Sequence, residues 1–515
     1  MLAALSQFLS LFIPLGSWYA QIIVIIPFLI CLKNKSITLT ISGCYGKWKK
    51  VSLSVKILTV TAVLLILTIS SWVVSHPDSI GYHIQIIKWI HSYRIIPGLA
   101  NLNPRLGFQS AWFTLNALFT FPFIKAGIYT YLGSVVCIWY IVCIASLINR
   151  NINKGNFALA IFWAGLLTIS FWSYTQIRLT ASSASPDFIA AIFILITIYL
   201  SFAKKNIPDD LSISLQVIFS FTALSIKLSA IPVCLLGIYN LARLPGQRKM
   251  RNNIVLILLS FVIFCNSITR NIITSGYIFY PSPFPDIVHA DWKIPRHKAA
   301  RETKYITAFA KTESEQGDKD IKETLDMQFY QWMPIWWSHR STADKFILAL
   351  LLASVCTALL LIKSPTARMY RLSFIVTTSG LIFWYILGPD PRFGWGFIIS
   401  FIGISVWLLY KKRSPQQYPG TKSYKLILNI VNAMLISYTI YRYVYFFSVS
   451  QIIFPAGTTP RPFTSKFCDS IQFNVALPPY GCGDNDIPCI EGSCTEFLFR
   501  GKELTDGFKP NEPNP

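Results

Sequence analysis

The chain has 515 residues, 53% hydrophobic and only 13% charged, where a soluble protein carries roughly 25% charged residues. Its net charge of +23 comes from 46 Lys and Arg against 23 Asp and Glu. That excess does not mark a nucleic-acid binder, because the basic residues fall in short clusters between apolar runs and form no single basic face. The composition predicts an all-α polytopic membrane protein.

A crossing helix needs ~20 mostly apolar residues, which predicts about twelve spans. They lie at 8–32, 53–74, 126–149, 157–176, 184–203, 211–228, 229–246, 252–270, 346–363, 372–388, 393–410 and 424–448. Basic clusters occupy every second loop, at 33–52, 150–156, 204–210, 243–251, 363–371 and 411–425, which is the positive-inside pattern. No Lys or Arg precedes the first apolar run, so no cleavable signal is expected. This reading places the chain in the inner (plasma) membrane with both termini extracytoplasmic.

The chain then divides into six parts. Residues 1–74 hold the first two spans and a basic cytoplasmic loop, and 75–125 a large outer loop with amphipathic helices. Spans three to eight occupy 126–270, an extracytoplasmic cap 271–345, spans nine to twelve 346–448, and a Cys-containing outer tail 449–515. Part of the cap, 281–345, balances ten basic against ten acidic residues and ends in Trp332, Trp336 and Trp337. Such an aromatic string suits a segment resting at the membrane interface.

The outer loop carries the first candidate chemistry. Asp78 follows Pro77 and opens a helical stretch in which Ile80, Ile84, Ile86, Ile87 and Ile90 fill one arc and Gln85, Lys88 and Ser92 the other. A helix of this kind lies in the interface. Asp78 is either its cap or a reactive carboxylate, and both roles are compatible. His83, Arg105, Arg270 and Arg392 are expected at the same outer surface. Ordinary roles exist for each: His83 as a structural histidine, Arg270 as a snorkelling span end, and Arg392 as the partner of Asp390 in a tight turn. Lys227 ends a span, where a lysine is costly unless it snorkels, pairs or meets an anion. Asp187 starts another span as a helix cap and a second-tier candidate. In the tail, Cys468, Cys482, Cys489 and Cys494 read as one or two disulfides of open connectivity rather than a zinc site.

An Asp after an early span, followed by Tyr82-His83 and an amphipathic loop ending in Pro104-Arg105, resembles the multi-spanning glycosyltransferases of the GT-C superfamily. Arg270, Asn271, Gly276 and Pro281 look like an R-N-x-x-x-x-G-x-x-x-x-P element of these enzymes, and Lys227 like a lysine that many of them place at a span end. The tail, with Pro488-Cys489 and RGKELTDGF at 500–508, is similar to that of a substrate-unassigned bacterial group. One departure is that Ser79 follows Asp78 where many members have a second acid, so a divalent metal is possible but not supported by an acidic pair and no metal ligand is assigned. The resemblance implies inverting transfer of a sugar from a polyprenyl-phosphate donor, drawn from the membrane lipid, to a hydroxyl of a glycan, lipid or protein. Asp78 would be the base. Arg105, Arg270 and Arg392 would bind phosphate or sugar, with Lys227 and His83 next and Tyr82, Asp187, Asn271 and Asp390 alongside. No glycine-rich nucleotide loop is present, and a nucleotide sugar is not expected. The alternatives are an O-antigen polymerase or ligase, also at the outer face, and a non-enzymatic polysaccharide or lipid transporter.

Overall fold

Away from water a long apolar run can satisfy its own amides only by coiling. In the computed structural model every predicted span overlaps a helix. The structure describes residues 1–33, 46, 48–74, 76–121, 127–202, 209–243, 254–313, 317–361, 363–364, 370–412, 421–446, 456–458, 460–478 and 481–512. Much of the basic charge used to orient the spans, including Lys35, Lys47, Lys204, Lys205, Arg248, Lys249, Arg251, Arg368 and Arg413, lies outside the described residues.

The helices in chain order are α1 Leu2–Leu9, α2 Trp18–Lys33, α3 Leu53–Ser70, α4 Ile84–Ser92, α5 Ala111–Leu118, α6 Tyr131–Asn153, α7 Phe157–Trp172, α8 Asp187–Phe202 and α9 Asp209–Ile226. They continue with α10 Cys234–Arg243, α11 Ile254–Ser275, α12 Arg296–Thr312, α13 Asp318–Asp326, α14 Phe329–His339, α15 Thr342–Leu361, α16 Arg371–Leu387, α17 Pro391–Lys412 and α18 Thr421–Phe446. Among the described residues five helices are long and apolar enough to cross a membrane, or six if α7 and the turn after it, bent by 62°, count as one span. Large apolar side chains such as Phe261, Leu352 and Leu360 stand exposed on their outer faces. Exposed apolar faces of this extent fit lipid rather than water, and the protein is a helical membrane protein.

Besides the one bent after α7, two predicted spans are interrupted. The run 8–32 breaks after α1, turns through Pro14 and Gly16, and restarts at Trp18. The turn is pinned by α4, whose Ile90 and His91 carbonyls accept from Leu15 and Gly16 N–H at 3.1 and 2.9 Å. The run 229–246 holds Pro232 in a 3-10 turn over Leu228–Val233 before α10 begins, since proline supplies no amide to a longer ladder.

Helix α17 is the axis of the bundle, buried over most of its length with Trp395 fully enclosed. It packs against α8, α15 and α16. Gly396 permits the approach to α8, where a Cβ would come within 2.9 Å of the Ala191 backbone. The principal core joins α3, α6, α7, α8, α15, α17 and α18 around Phe171, Phe188 and Trp395.

The tail departs from the all-α expectation. Strand β1 Phe463–Cys468 pairs antiparallel with β2 Ile471–Ala476, and β3 Cys489–Ile490 runs parallel to β2. A second ribbon pairs β4 Phe497–Phe499 with β5 Phe508–Pro510. Its core of Phe473, Phe497 and Phe508 is continuous with that of α4 and α5. The polar strip of α4 is therefore covered by the tail: Gln85 donates to the Gly483 and Asn485 carbonyls at 3.0 and 2.9 Å, and Lys88 pairs with Asp484 at 3.1 Å. Disulfides join Cys468 to Cys494 and Cys482 to Cys489. Because the first closes a 26-residue separation, it is expected to stabilise the tail by about 3 kcal/mol. Replacing Cys468 and Cys494 with Ser should make limited proteolysis cleave within 456–512 well before the helical bundle, as read by mass spectrometry of the fragments.

Candidate functional site

The loop after α3 delivers Asp78 to the start of a π-turn over Ser79–His83. Asp78 does not cap it, since its side chain makes no capping hydrogen bond. Its carboxylate instead accepts from Arg392 Nη1 at 3.0 Å, and its N–H donates to His76 Nδ1 at 3.0 Å.

Arg392 lies in the first turn of α17, after Asp390 and Pro391. Pro391 occupies the first helical position, where its missing N–H costs nothing, and Asp390 Oδ1 accepts from the Arg392 N–H at 2.9 Å. A cation at a helix N-terminus opposes the helix dipole, and three carboxylates offset it. Arg392 reaches Asp78 directly, and its Nε lies 3.5 Å from Asp390 Oδ2 and 3.7 Å from Asp187 Oδ2. That Nε makes no hydrogen bond among the described residues. Asp187, the first residue of α8, accepts a short bond from Lys227. Lys227 itself stands in extended backbone, where α9 gives way to the 3-10 turn, and its ammonium lies 3.9 Å from the Phe393 ring centroid.

A second group stands on the other side of Tyr82. Arg105 is held 3.8 Å from Glu302 of α12 and 5.0 Å over the Tyr305 ring, with the Tyr82 ring at 5.9 Å. Glu302 is buried, and its Oε2 accepts no hydrogen bond among the described residues, Arg105 being its ion-pair partner. Glu491 of the tail approaches the same loop beside Gly481, which lies against Gly81.

Electrostatics separate the acids. Burial pushes the Asp78 carboxyl up, but Arg392, His76, His83 and Arg105 outweigh it and hold the group well below the usual carboxylate range. Burial raises Glu302 and Glu491 despite Arg105 nearby. His83, enclosed with Phe113 and hydrogen-bonded to Ser79 Oγ at 3.0 Å, is lowered to about 3, chiefly by burial.

Seven of the ten predicted site residues thus meet here: Asp78, Tyr82, Arg105, Asp187, Lys227, Asp390 and Arg392. His83 is adjacent but packed as a structural histidine. Arg270 and Asn271 are not part of the group. Arg270 is buried between α1 and the outer loop, bonded to Gln109 Oε1 and Ser10 Oγ. Asn271 donates to the Ile278 carbonyl at 2.8 Å, bracing the turn in which Gly276 adopts φ +83°. His76, Glu302 and Glu491 were missed. So was Arg340, buried 3.8 Å from Asp390 and bonded to Glu313. The isolated acid in the basic stretch RHKAARETK was the one available signal for Glu302. Among the described residues no three His, Cys, Asp or Glu are grouped to hold a metal ion; the three aspartates face cations.

The fold and site define a polytopic helical membrane protein with an ionic cluster closing one end of its bundle. A family model described as Domain of unknown function (DUF8201) matches residues 1–399, and the chain belongs to that family. The match spans every residue of the Asp78–Arg392 cluster and ends before the β tail. No curated protein matches the chain, and no solved structure matches it.

Lys227→Met leaves Asp187 buried with Arg392 only at 3.7 Å, and is expected to cost about 3 kcal/mol, the scale for stranding one member of a buried pair. Adding Asp187→Asn should recover most of the loss in detergent-solubilised melting curves. A pH effect follows from His83. Between 6.5 and about 3 the unfolded histidine takes a proton that the native one refuses, so stability falls as pH drops through that window. His83→Gln should flatten the dependence of melting temperature on pH there. The contribution of Asp78 is lost only below its ordinary value of 3.8.

Proposed function

We propose that the protein is an integral membrane glycosyltransferase of the GT-C type, carrying a sugar from a polyprenyl-phosphate donor to a hydroxyl on a glycan, lipid or protein at the extracytoplasmic face. In this reading the shorter apolar helices complete about twelve crossings by the ~20-residue criterion, and both termini lie outside. The observation that carries it is the pairing of Asp78 with Arg392, 3.0 Å apart, with Lys227 and Asp187 behind them at the end of an otherwise apolar bundle.

The proposed step is an inverting displacement. The acceptor oxygen bonds to the anomeric carbon, the bond from that carbon to the donor phosphate oxygen breaks, and Asp78 takes the acceptor proton. Arg392 and Arg105 stabilise the negative charge left on the lipid phosphate. In the resting site Asp78 is a poor base, because Arg392 holds it ionised and weakly basic. A phosphate arriving at Arg392 competes for that guanidinium and returns basicity to Asp78, so the base is armed when the donor is bound.

A second reading rests on the helix interruptions at Ser173 and at Lys227, since broken helices also line transporter sites. The interruption at Lys227 belongs to the ionic cluster, whereas Ser173 donates to Asp344 of α15 at 3.4 Å, and the two are not placed in paired halves of the chain, which favours the transferase.

The test is transfer of radiolabelled sugar from membrane polyprenyl-phosphate donors into glycolipid or glycan. Asp78→Asn, at matched protein level and unchanged melting temperature, should lower the rate by roughly 10²-fold or more. In the wild type kcat/KM should stay level from about pH 5 to 8, because the free enzyme already holds Asp78 ionised. Unaltered transfer in Asp78→Asn would give Asp78 a structural role only.

A further inference from the structure

Toward the other end of the bundle, roughly 10 to 22 Å from Arg392 by the ~1.5 Å rise per residue along α17, lies a cavity that the ionic cluster does not use. It sits between α6, α7, α8 and α17 and has a volume of about 190 Å³. That exceeds the ~150 Å³ apolar cavity that admits a benzene ring. Its walls are apolar, with Leu159, Phe162, Leu195 and Ile404, and Arg150 and Lys154 stand at one end, where α6 finishes. Arg150 is half-buried and Lys154 exposed.

Two further features distinguish it from a packing defect. Ser400 and Trp407 are among its lining residues, and Ser400 Oγ and Trp407 Nε1 are buried without a hydrogen-bond partner among the described residues. A buried donor left unpaired is costly, and here two lie at different depths on one helix. Gly403, between them on α17, leaves the space open; a side chain there would grow toward Phe162, which a Cβ would approach to 3.3 Å.

We propose that this cavity binds an anionic glycerophospholipid, one acyl chain between α7 and α17 and the headgroup phosphate at Arg150 and Lys154. Trp407 lines the cavity toward the C-terminal end of α17. The charge selects an anionic headgroup and the apolar length selects a chain, so neither a free phosphate nor a neutral lipid fits both. The site stands independently of the transfer reaction.

The test is native mass spectrometry of the delipidated full-length protein titrated with dioleoyl phosphatidylglycerol or dioleoyl phosphatidylcholine. Bound phosphatidylglycerol should appear at roughly thirtyfold lower concentration, the pull expected of two basic side chains on an anionic headgroup. Arg150→Gln with Lys154→Gln should bring the two lipids level, and Gly403→Leu should weaken both while the elution profile and melting temperature hold. Equal binding in the wild type, or a preference that survives Arg150→Gln with Lys154→Gln, overturns the proposal. Tighter binding of undecaprenyl phosphate than of phosphatidylglycerol, lost in the same variant, overturns the assignment to a glycerophospholipid.

Discussion

A guanidinium at the start of a buried helix is the constraint on which the rest of this structure depends. Arg392 stands where the α17 dipole repels a cation, in surroundings too dry to screen it. Only carboxylates close the deficit. Asp390 comes from the adjacent cap, Asp187 from the first residue of α8 and Asp78 from the loop after α3. Each of those segments must therefore end at the same level as α17. The glycines of α17 allow its neighbours to approach closely enough for this, Gly396 against α8 and Gly394 against Trp384. Charge and close packing impose the same alignment.

The tail fixes the loop from its other side. Helix α4 follows Asp78 within two turns, and a lone amphipathic helix on a membrane surface has freedom to slide and tilt. Here its polar side is bonded to the 483–486 segment through Gln85 and Lys88, while Phe508 packs edge-on to Trp89 at 6.4 Å and its N–H donates to the Pro97 carbonyl at 3.0 Å. The small sheet, stapled by two disulfides, thus covers a segment that sequence periodicity describes as lying in the membrane interface. The family match ends at 399, so the shared part of the chain contains the cluster and the tail is the part of this chain that holds the loop from outside.

Local patterns were legible and long-range partners were not. Apolar runs placed the helices, because backbone satisfaction without water leaves one solution. The ionisable residues at span ends identified Asp78, Asp187, Lys227, Asp390 and Arg392, since a charge beside an apolar run requires a reason. The sequence could not say which charge meets which. Arg392 was read as the partner of the nearby Asp390, and the tighter contact is with Asp78, 314 positions away. Arg270 shows the converse: a buried arginine can be satisfied by neutral acceptors such as Gln109 and Ser10, which no charge pattern reveals. The strands of the tail escaped because they are short and their burial alternates imperfectly.

The two acids on either side of Tyr82 show how one loop can hold carboxylates in opposite states. Asp78 sits in hydrogen-bond contact with a guanidinium and stays ionised, whereas Glu302 is buried with one oxygen lacking a hydrogen bond and its acidity weakened. Pairs whose environments drive their acidities apart are how proteins divide donor and acceptor work between like groups. In the proposed reaction the anionic leaving group and Asp78 compete for the same cation, so the first event on binding is a redistribution of charge rather than a large movement. Arg392 is suited to that exchange. Its rigid planar fork can hold a carboxylate with one edge and turn the other to phosphate, and it is anchored in the first turn of a largely buried helix. A lysine in its place would offer one point charge and would have to leave Asp78 in order to meet the phosphate.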